Sequence, residues 1–301
     1  MTVAGQPRCS AVSAGRQELL VGTASRVVRW LLIEQPGAWG REAVLESHLD
    51  EQTGRMLHAA SRRHGFRVLL LRRPGWAEPD GRRRVSLVRT RPDGGWIEQL
   101  EVDDVRQLQD VPWEALDAVD PPGLGRPGPA VVHLVCTNGK HDPCCADKGR
   151  PVVRALAEAE VPEVWESSHV GGDRFAANVV CLPRGVYFGR VQPEEAAELV
   201  ADYGRGQLWL DRYRGVSSLS ALTQAAEHFA RLELDERRLE GLRVVSSQAV
   251  PGAVTVHLDH GGRAVEVVVS RHREGPAPLS CGAQPSHPWV YRVDSFTVDG
   301  S

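Results

Sequence analysis

The sequence predicts an α/β protein, and three observations carry that expectation. Apolar runs of strand length, such as Arg26–Glu34 and Ala130–Val135, alternate with segments of helical apolar spacing. The order β-α-β-β-β-α can be read twice, once on each side of a Pro/Gly-rich stretch. No apolar run approaches the roughly 18–20 residues of a membrane helix. The 42% hydrophobic and 25% charged residues are the balance of a soluble globular chain.

In the first stretch, 15–120, Arg26–Glu34 reads as a buried strand and Pro36-Gly-Ala-Trp-Gly40 as a turn. Val44, Leu45, Leu49, Met56, Leu57 and Ala60 predict a helix over 41–63. Phe66–Leu71 is a second strand. Val85–Arg89 and Trp96–Leu100 form a hairpin around Pro92-Asp-Gly-Gly95, and a short helix over Asp103–Leu108 closes the unit. Asp120–Pro129 is a Pro/Gly linker and marks a domain boundary.

The second stretch begins with the strand Ala130–Val135, which runs into Cys136. Thr137–Arg150 reads as a loop, with a helix starting at Pro151 and striped by Val152, Val153, Leu156 and Ala157. Glu163–Ser167, Asn178–Leu182 and Val186–Val191 are strands, and Pro193–Val200 is a closing helix. This order is compatible with a thioredoxin-like arrangement, and its echo in the first stretch suggests a second unit of the same type there. From 216 to 301 the chain reads as a small α+β extension: a helix over Leu219–Glu233 and a hairpin, Val254–Leu258 with Ala264–Val269. The expected domains are therefore 1–120, the linker 121–129, 130–215, and 216–301.

Lys and Arg number 36 against 39 Asp and Glu, a net charge of −3 with both signs interspersed. That excludes a nucleic-acid partner held by bulk charge. The N-terminus lacks a basic segment followed by an apolar one, so no secretory signal is expected and the predicted compartment is the cytoplasm. Six cysteines without an export signal do not read as a disulfide scaffold. Cys136, Cys144 and Cys145 fall within ten residues of one another. In a reducing compartment that points to a metal, a cluster cofactor or thiol chemistry.

Two loops concentrate this chemistry. One is Cys136-Thr-Asn-Gly-Lys-His-Asp-Pro-Cys-Cys145; the other is Ser167-Ser-His-Val-Gly-Gly-Asp173, where three residues separate His169 from Asp173. Thiolate, imidazole and carboxylate are the metal-binding side chains, and glycines let backbone N–H groups approach an inorganic centre. A [2Fe–2S] cluster needs four protein ligands, which two cysteines from one loop and two residues from the other would supply. The competing roles are ordinary ones. His169 would be hydrogen-bonded in its loop, and Asp173 would pair with Arg174 or Arg150 or form a turn beside the glycines. Cys144 and Cys181 would pack. His141 and Asp142 would support ligands or face solvent, and nothing near Cys9 or Cys281 completes a site. The chain has no Cys-x-x-Cys, no Gly-x-x-x-x-Gly-Lys-Ser/Thr, no Gly-x-Gly-x-x-Gly following a predicted strand and no Gly-x-Ser-x-Gly.

Cys136–Pro151 and Ser168–Val191 resemble the sucrase/ferredoxin-like family, a branch of the thioredoxin-like [2Fe–2S] ferredoxins. Gly22–Ala24 with Trp30–Gly40, and Ser280-Cys-Gly282 with Val290–Val293, resemble the same family, so the likeness spans nearly the whole chain. The resemblance implies a thioredoxin-like fold and a [2Fe–2S] cluster with a ferredoxin-type role. It places the ligands on Cys136, Cys145, His169 and Asp173. Asp173 departs from the family's cysteine or histidine, which leaves Cys144 and Cys181 as alternatives for the fourth ligand.

The expected function is a non-enzymatic, one-electron carrier that meets a redox partner protein, with no nucleic acid and no membrane. No carboxylate pair suited to a glycosidase can be placed. A mononuclear zinc site on the same four residues and a cofactor-free interaction protein are the alternatives.

Overall fold

The computed structural model describes residues 7–76 and 82–299. A short helix, α1 (Cys9–Gly15), precedes the first sheet strand, β1 (Arg29–Glu34). Helix α2 (Glu51–His64) carries the chain to β2 (Arg67–Arg72), which lies parallel to β1. β3 (Arg83–Arg91) pairs antiparallel with β1 and turns at Pro92-Asp93 into β4 (Gly94–Val102). Short 3₁₀ turns follow at Val105–Asp110 and Trp113–Asp117, where one short helix is expected from the sequence. The Pro/Gly stretch contributes β5 (Arg126–Pro127), which pairs with β4.

The second half repeats this connectivity. β6 (Val132–Cys136), α3 (Pro143–Glu158) and β7 (Val164–Ser167) form a parallel unit, β8 (Val179–Leu182) adds antiparallel to β6, and β9 (Val186–Phe188) adds antiparallel to β8. α4 (Pro193–Gly204) and β10 (Tyr213–Val216) complete it. β2 and β7 then pair antiparallel, Leu71 with Ser167 and Arg72 with Glu166, so both halves share one ten-stranded sheet.

Successive residues of a strand face opposite sides, and the sheet buries both. Trp30, Leu32, Leu69, Leu71, Leu134, Trp165, Val180 and Leu182 form one apolar layer through both halves. The sheet curls around it, and the Pro92 carbonyl accepts from Arg184 Nη1 at 3.1 Å between the two hairpin turns. On the opposite face, Leu31, Ile33 and Leu70 pack under Leu57 of α2, and Val135, Val179 and Phe188 pack under Leu156 and Leu199.

Two helix starts differ from the sequence expectation. α2 begins at Glu51, not 41: Asp50 caps it, accepting from the Gln52 and Thr53 amides, and Val44, Leu45 and Leu49 lie before the helix. α3 begins at Pro143, not Pro151. Asp142 caps it, Pro143 occupies the first helical position, and Pro151 lies inside. Cys144 and Cys145 are therefore in the helix's first turn.

α5 (Ala221–Glu233) packs on a separate antiparallel sheet, β11 (Arg243–Val250), β12 (Ala253–His260), β13 (Arg263–Arg273) and β14 (Trp289–Val298). Among the described residues, no helix is long and apolar enough to cross a membrane.

Candidate metal centre

Cys136 ends β6, and Cys145 sits one turn into α3. Gly149 makes their approach possible: a Cβ there would stand 2.1 Å from the Cys136 carbonyl oxygen. Any side chain would push the helix off the strand end.

His169 and Asp173 lie on the loop after β7, which is held from several sides. The Val170 carbonyl accepts from Ser25 Oγ (3.1 Å), Arg67 Nη1 (3.0 Å) and the Tyr187 hydroxyl (3.2 Å). Buried Arg214 donates through Nη1 to the Gly171 carbonyl (3.1 Å) and Asn178 Oδ1 (2.7 Å). Gly171 and Gly172 have φ of +100° and +83°, a region side chains disfavour. A Cβ at Gly172 would also meet Arg214 Nη2 at 2.3 Å.

These supports bring the four sequence-predicted residues together. His169 Nδ1 lies 3.9 Å from the sulfurs of both Cys136 and Cys145. Cys145 Sγ lies 3.3 Å from Asp173 Oδ1, which is 3.1 Å from His169 Nδ1. Cys136, Cys145 and Asp173 are buried, whereas the His169 side chain is 21% exposed.

The protons are unevenly shared. The Cys136 thiol is held well below its usual range by a hydrogen bond from Cys145, against burial, with help from His169 and the Val170 amide. Cys145 is pushed up by its bond to Cys136 and by burial. Burial opposes a charge on His169, yet the Cys136 thiolate and Asp173 raise its pKa. A thiol whose sulfur already has donors aimed at it is prepared for metal ligation.

The model of the sucrase/ferredoxin-like family matches residues 20–215. The chain belongs to the sucrase/ferredoxin-like family. Altered inheritance of mitochondria protein 32 from Meyerozyma guilliermondii is 33% identical over 93 residues, covering 27% of this chain and 33% of that protein. The chain thus spans about a third of the length of this curated relative. No solved structure matches the chain.

Within this sucrase/ferredoxin-like chain, the alternatives for the fourth ligand turn elsewhere. Cys181 packs in the core with its sulfur 3.5 Å from His133 Nδ1. Cys144 Sγ lies 3.6 Å from Cys9 Sγ and 3.4 Å from Cys281 Sγ. Arg174 pairs with Glu18 at 2.7 Å rather than with Asp173.

Three features escape sequence reasoning. His141 stacks on His169, ring centroids 3.7 Å apart, and the ligand atoms of His141, His169 and Asp173 all lie within 4.8 Å of one another. Its only signal was its place in the cysteine loop. Ser280 Oγ donates to Asp173 Oδ2 at 2.5 Å, and the sequence marks the Ser280-Cys-Gly282 segment only through its resemblance to the family. The expectation that nothing near Cys9 or Cys281 completes a site is overturned, because both meet Cys144 and Asp142. A cleft of about 280 Å³, lined by Arg41, Arg67, Asn138, His141 and His169, opens beside the centre.

Proposed function

We propose that this chain carries a [2Fe–2S] cluster on Cys136, Cys145, His169 and Asp173 and passes single electrons to or from a partner protein in the cytoplasm. The observation that carries this reading is the convergence of Cys136 at the end of β6, Cys145 in the first turn of α3, and the imidazole and carboxylate of the loop after β7, inside the span matched by the family. The donor set fits the group: two sulfurs form one pair, and a nitrogen and an oxygen form the other. When bound, such a cluster supplies a one-electron couple.

The chain's own residues set the conditions around that couple. Neutral imidazole in place of thiolate makes the centre less negative and raises its potential, and the anionic Asp173 partly offsets this. His169 reaches the cleft, so its imidazole connects the buried sulfurs to solvent and to a docked partner. Arg41 and Arg67 on the cleft wall favour an acidic docking surface. His141, stacked on His169, is the residue best placed to replace Asp173 as a ligand.

Protein purified without oxygen is expected to contain iron and acid-labile sulfide in equal amounts and to show a paramagnetic signal on reduction. Cys136→Ser is expected to lose all three. Asp173→Ala and His141→Ala then show which of the two residues changes the spectrum. Iron without sulfide, or neither, overturns the proposal.

The compact geometry favours a second reading. Cys136, Cys145 and His169, whose ligand atoms all lie within 4.8 Å of one another, also suit a single zinc, with Asp173 beside Cys145 and His169. Zinc without sulfide would establish it.

A further inference from the structure

We propose that Cys9, Cys144, Cys281 and Asp142 form a second metal site, which binds zinc and is separate from the centre on Cys136 and Cys145. Cys9 and Cys281 lie outside the span matched by the family.

The three sulfurs form a nearly regular triangle, with edges of 3.6 Å (Cys9–Cys144), 3.4 Å (Cys144–Cys281) and 3.5 Å (Cys281–Cys9). A tetrahedral zinc with Zn–S of about 2.3 Å places its sulfurs about 3.8 Å apart, so small outward shifts admit the ion. A disulfide needs about 2.05 Å, and three thiols cannot all pair. A [4Fe–4S] cluster gives each thiolate its own iron, which would splay these sulfurs apart, and a [2Fe–2S] cluster divides its four ligands into two pairs rather than gathering three sulfurs at one point. The triangle therefore suits one ion.

Asp142 supplies the fourth corner. Its Oδ2 and Oδ1 lie 3.7 and 3.9 Å from Cys9 Sγ, and the ligand atoms of all four residues lie within 4.8 Å of one another. Two backbone amides orient the carboxylate: Cys144 N–H donates to Oδ1 at 2.8 Å and Cys281 N–H to Oδ2 at 2.6 Å. Each oxygen keeps a free lone pair.

Independent contacts aim donors at two of the three sulfurs. Ser10 Oγ donates to Cys144 Sγ at 3.3 Å, and the Cys9 amide donates to Cys281 Sγ at 3.4 Å. Arg8, paired with Asp147, also faces the cysteines and offsets their charge. Hydrogen bonds of this kind support metal-bound thiolates.

The site joins three parts of the chain: α1, the first turn of α3 and the segment before β14. It also fixes Ser280, whose hydroxyl holds Asp173 of the other centre.

The test uses full-length Cys136→Ser/Cys145→Ser protein, stripped of metal under reducing conditions and titrated with cobalt(II) and then zinc. One equivalent of cobalt is expected to give intense ligand-field bands and thiolate charge transfer, and zinc is expected to displace it. Adding Cys9→Ser/Cys281→Ser is expected to weaken uptake by roughly tenfold or more. Cys281→His, which keeps a donor, retains uptake with a weaker charge-transfer band and so separates lost ligation from lost folding. Cys181→Ser leaves uptake unchanged. Absent uptake, uptake indifferent to Cys9→Ser/Cys281→Ser, or a disulfide among the three cysteines in protein purified with reductant overturns the proposal.

Discussion

Cys144 and Cys145 are adjacent in the chain and join different clusters of metal-ligating side chains. Successive helical residues point about 100° apart, so a helix start carrying two cysteines sends one thiol to each side. The same residue-level accounting applies to His133. Burial holds its pKa down at about 4, partly opposed by Glu163; its ring faces the Cys181 thiol of β8 and the Tyr203 ring of α4. An unfolded histidine titrates near 6.5. The folded state therefore binds fewer protons than the unfolded one between these values. His133 contributes stability that is complete above about pH 6.5 and lost as pH falls toward about 4. Between about pH 7 and 4.5 the parent is expected to lose about 2 kcal/mol more than His133→Gln. Urea unfolding at the two pH values measures the difference, and equal losses would refute the assignment. Neither the burial of His133 nor its partner 48 residues away in sequence had a local signature.

At the scale of elements, α3 makes the centre. Asp142 and Pro143 start it, and Gly149 lets it rest on the end of β6. Because proline favours the first helical position, the sequence alone points to Pro151 as the helix start. The stronger pair of signals, a capping Asp followed by Pro, stood eight residues earlier. An interior proline costs about 3 kcal/mol, which the burial of Val152, Val153 and Leu156 against the sheet offsets. Gly149→Ala is expected to destabilise the fold by about 1–3 kcal/mol, since backbone lies in the path of the new methyl group. In the proposed cluster-bearing protein it is also expected to lower the iron content, by parting Cys136 from Cys145. Iron analysis beside a denaturant titration checks both; a stable variant with full metal would show that the close approach is not required. The strands were legible because their apolar runs are local and bounded by turn residues. The β3–β4 hairpin is clearest, with its Pro-Asp-Gly-Gly tip in place.

At the scale of the molecule, the two halves are stitched where β2 meets β7. Arg72 donates to Glu166 Oε2 through Nη2 at 2.7 Å and Nε at 3.1 Å, with both side chains buried. Thr137, directly after Cys136, donates to the same oxygen at 2.7 Å. Arg72 also lies over the Trp39 ring and donates to the Gly37 carbonyl. Removing one partner leaves a buried charge, so Glu166→Leu is expected to cost about 3–5 kcal/mol. Arg72→Met/Glu166→Leu is expected to recover much of that loss. A double-mutant cycle reads the coupling, and strict additivity would mean that the pair does not secure the seam.

The sequence by itself determined the α/β class, the repeated strand and helix order, and the two segments that carry metal-ligating side chains. Those properties depend on apolar spacing and turn chemistry within a few residues. Only the tertiary structure decided that both halves share one sheet, that His141 stacks on His169, and that Cys9 and Cys281 close on Cys144. The last two pairs are 135 and 137 residues apart, and contact across such separations is set by how the elements pack, which leaves no periodic trace in the chain.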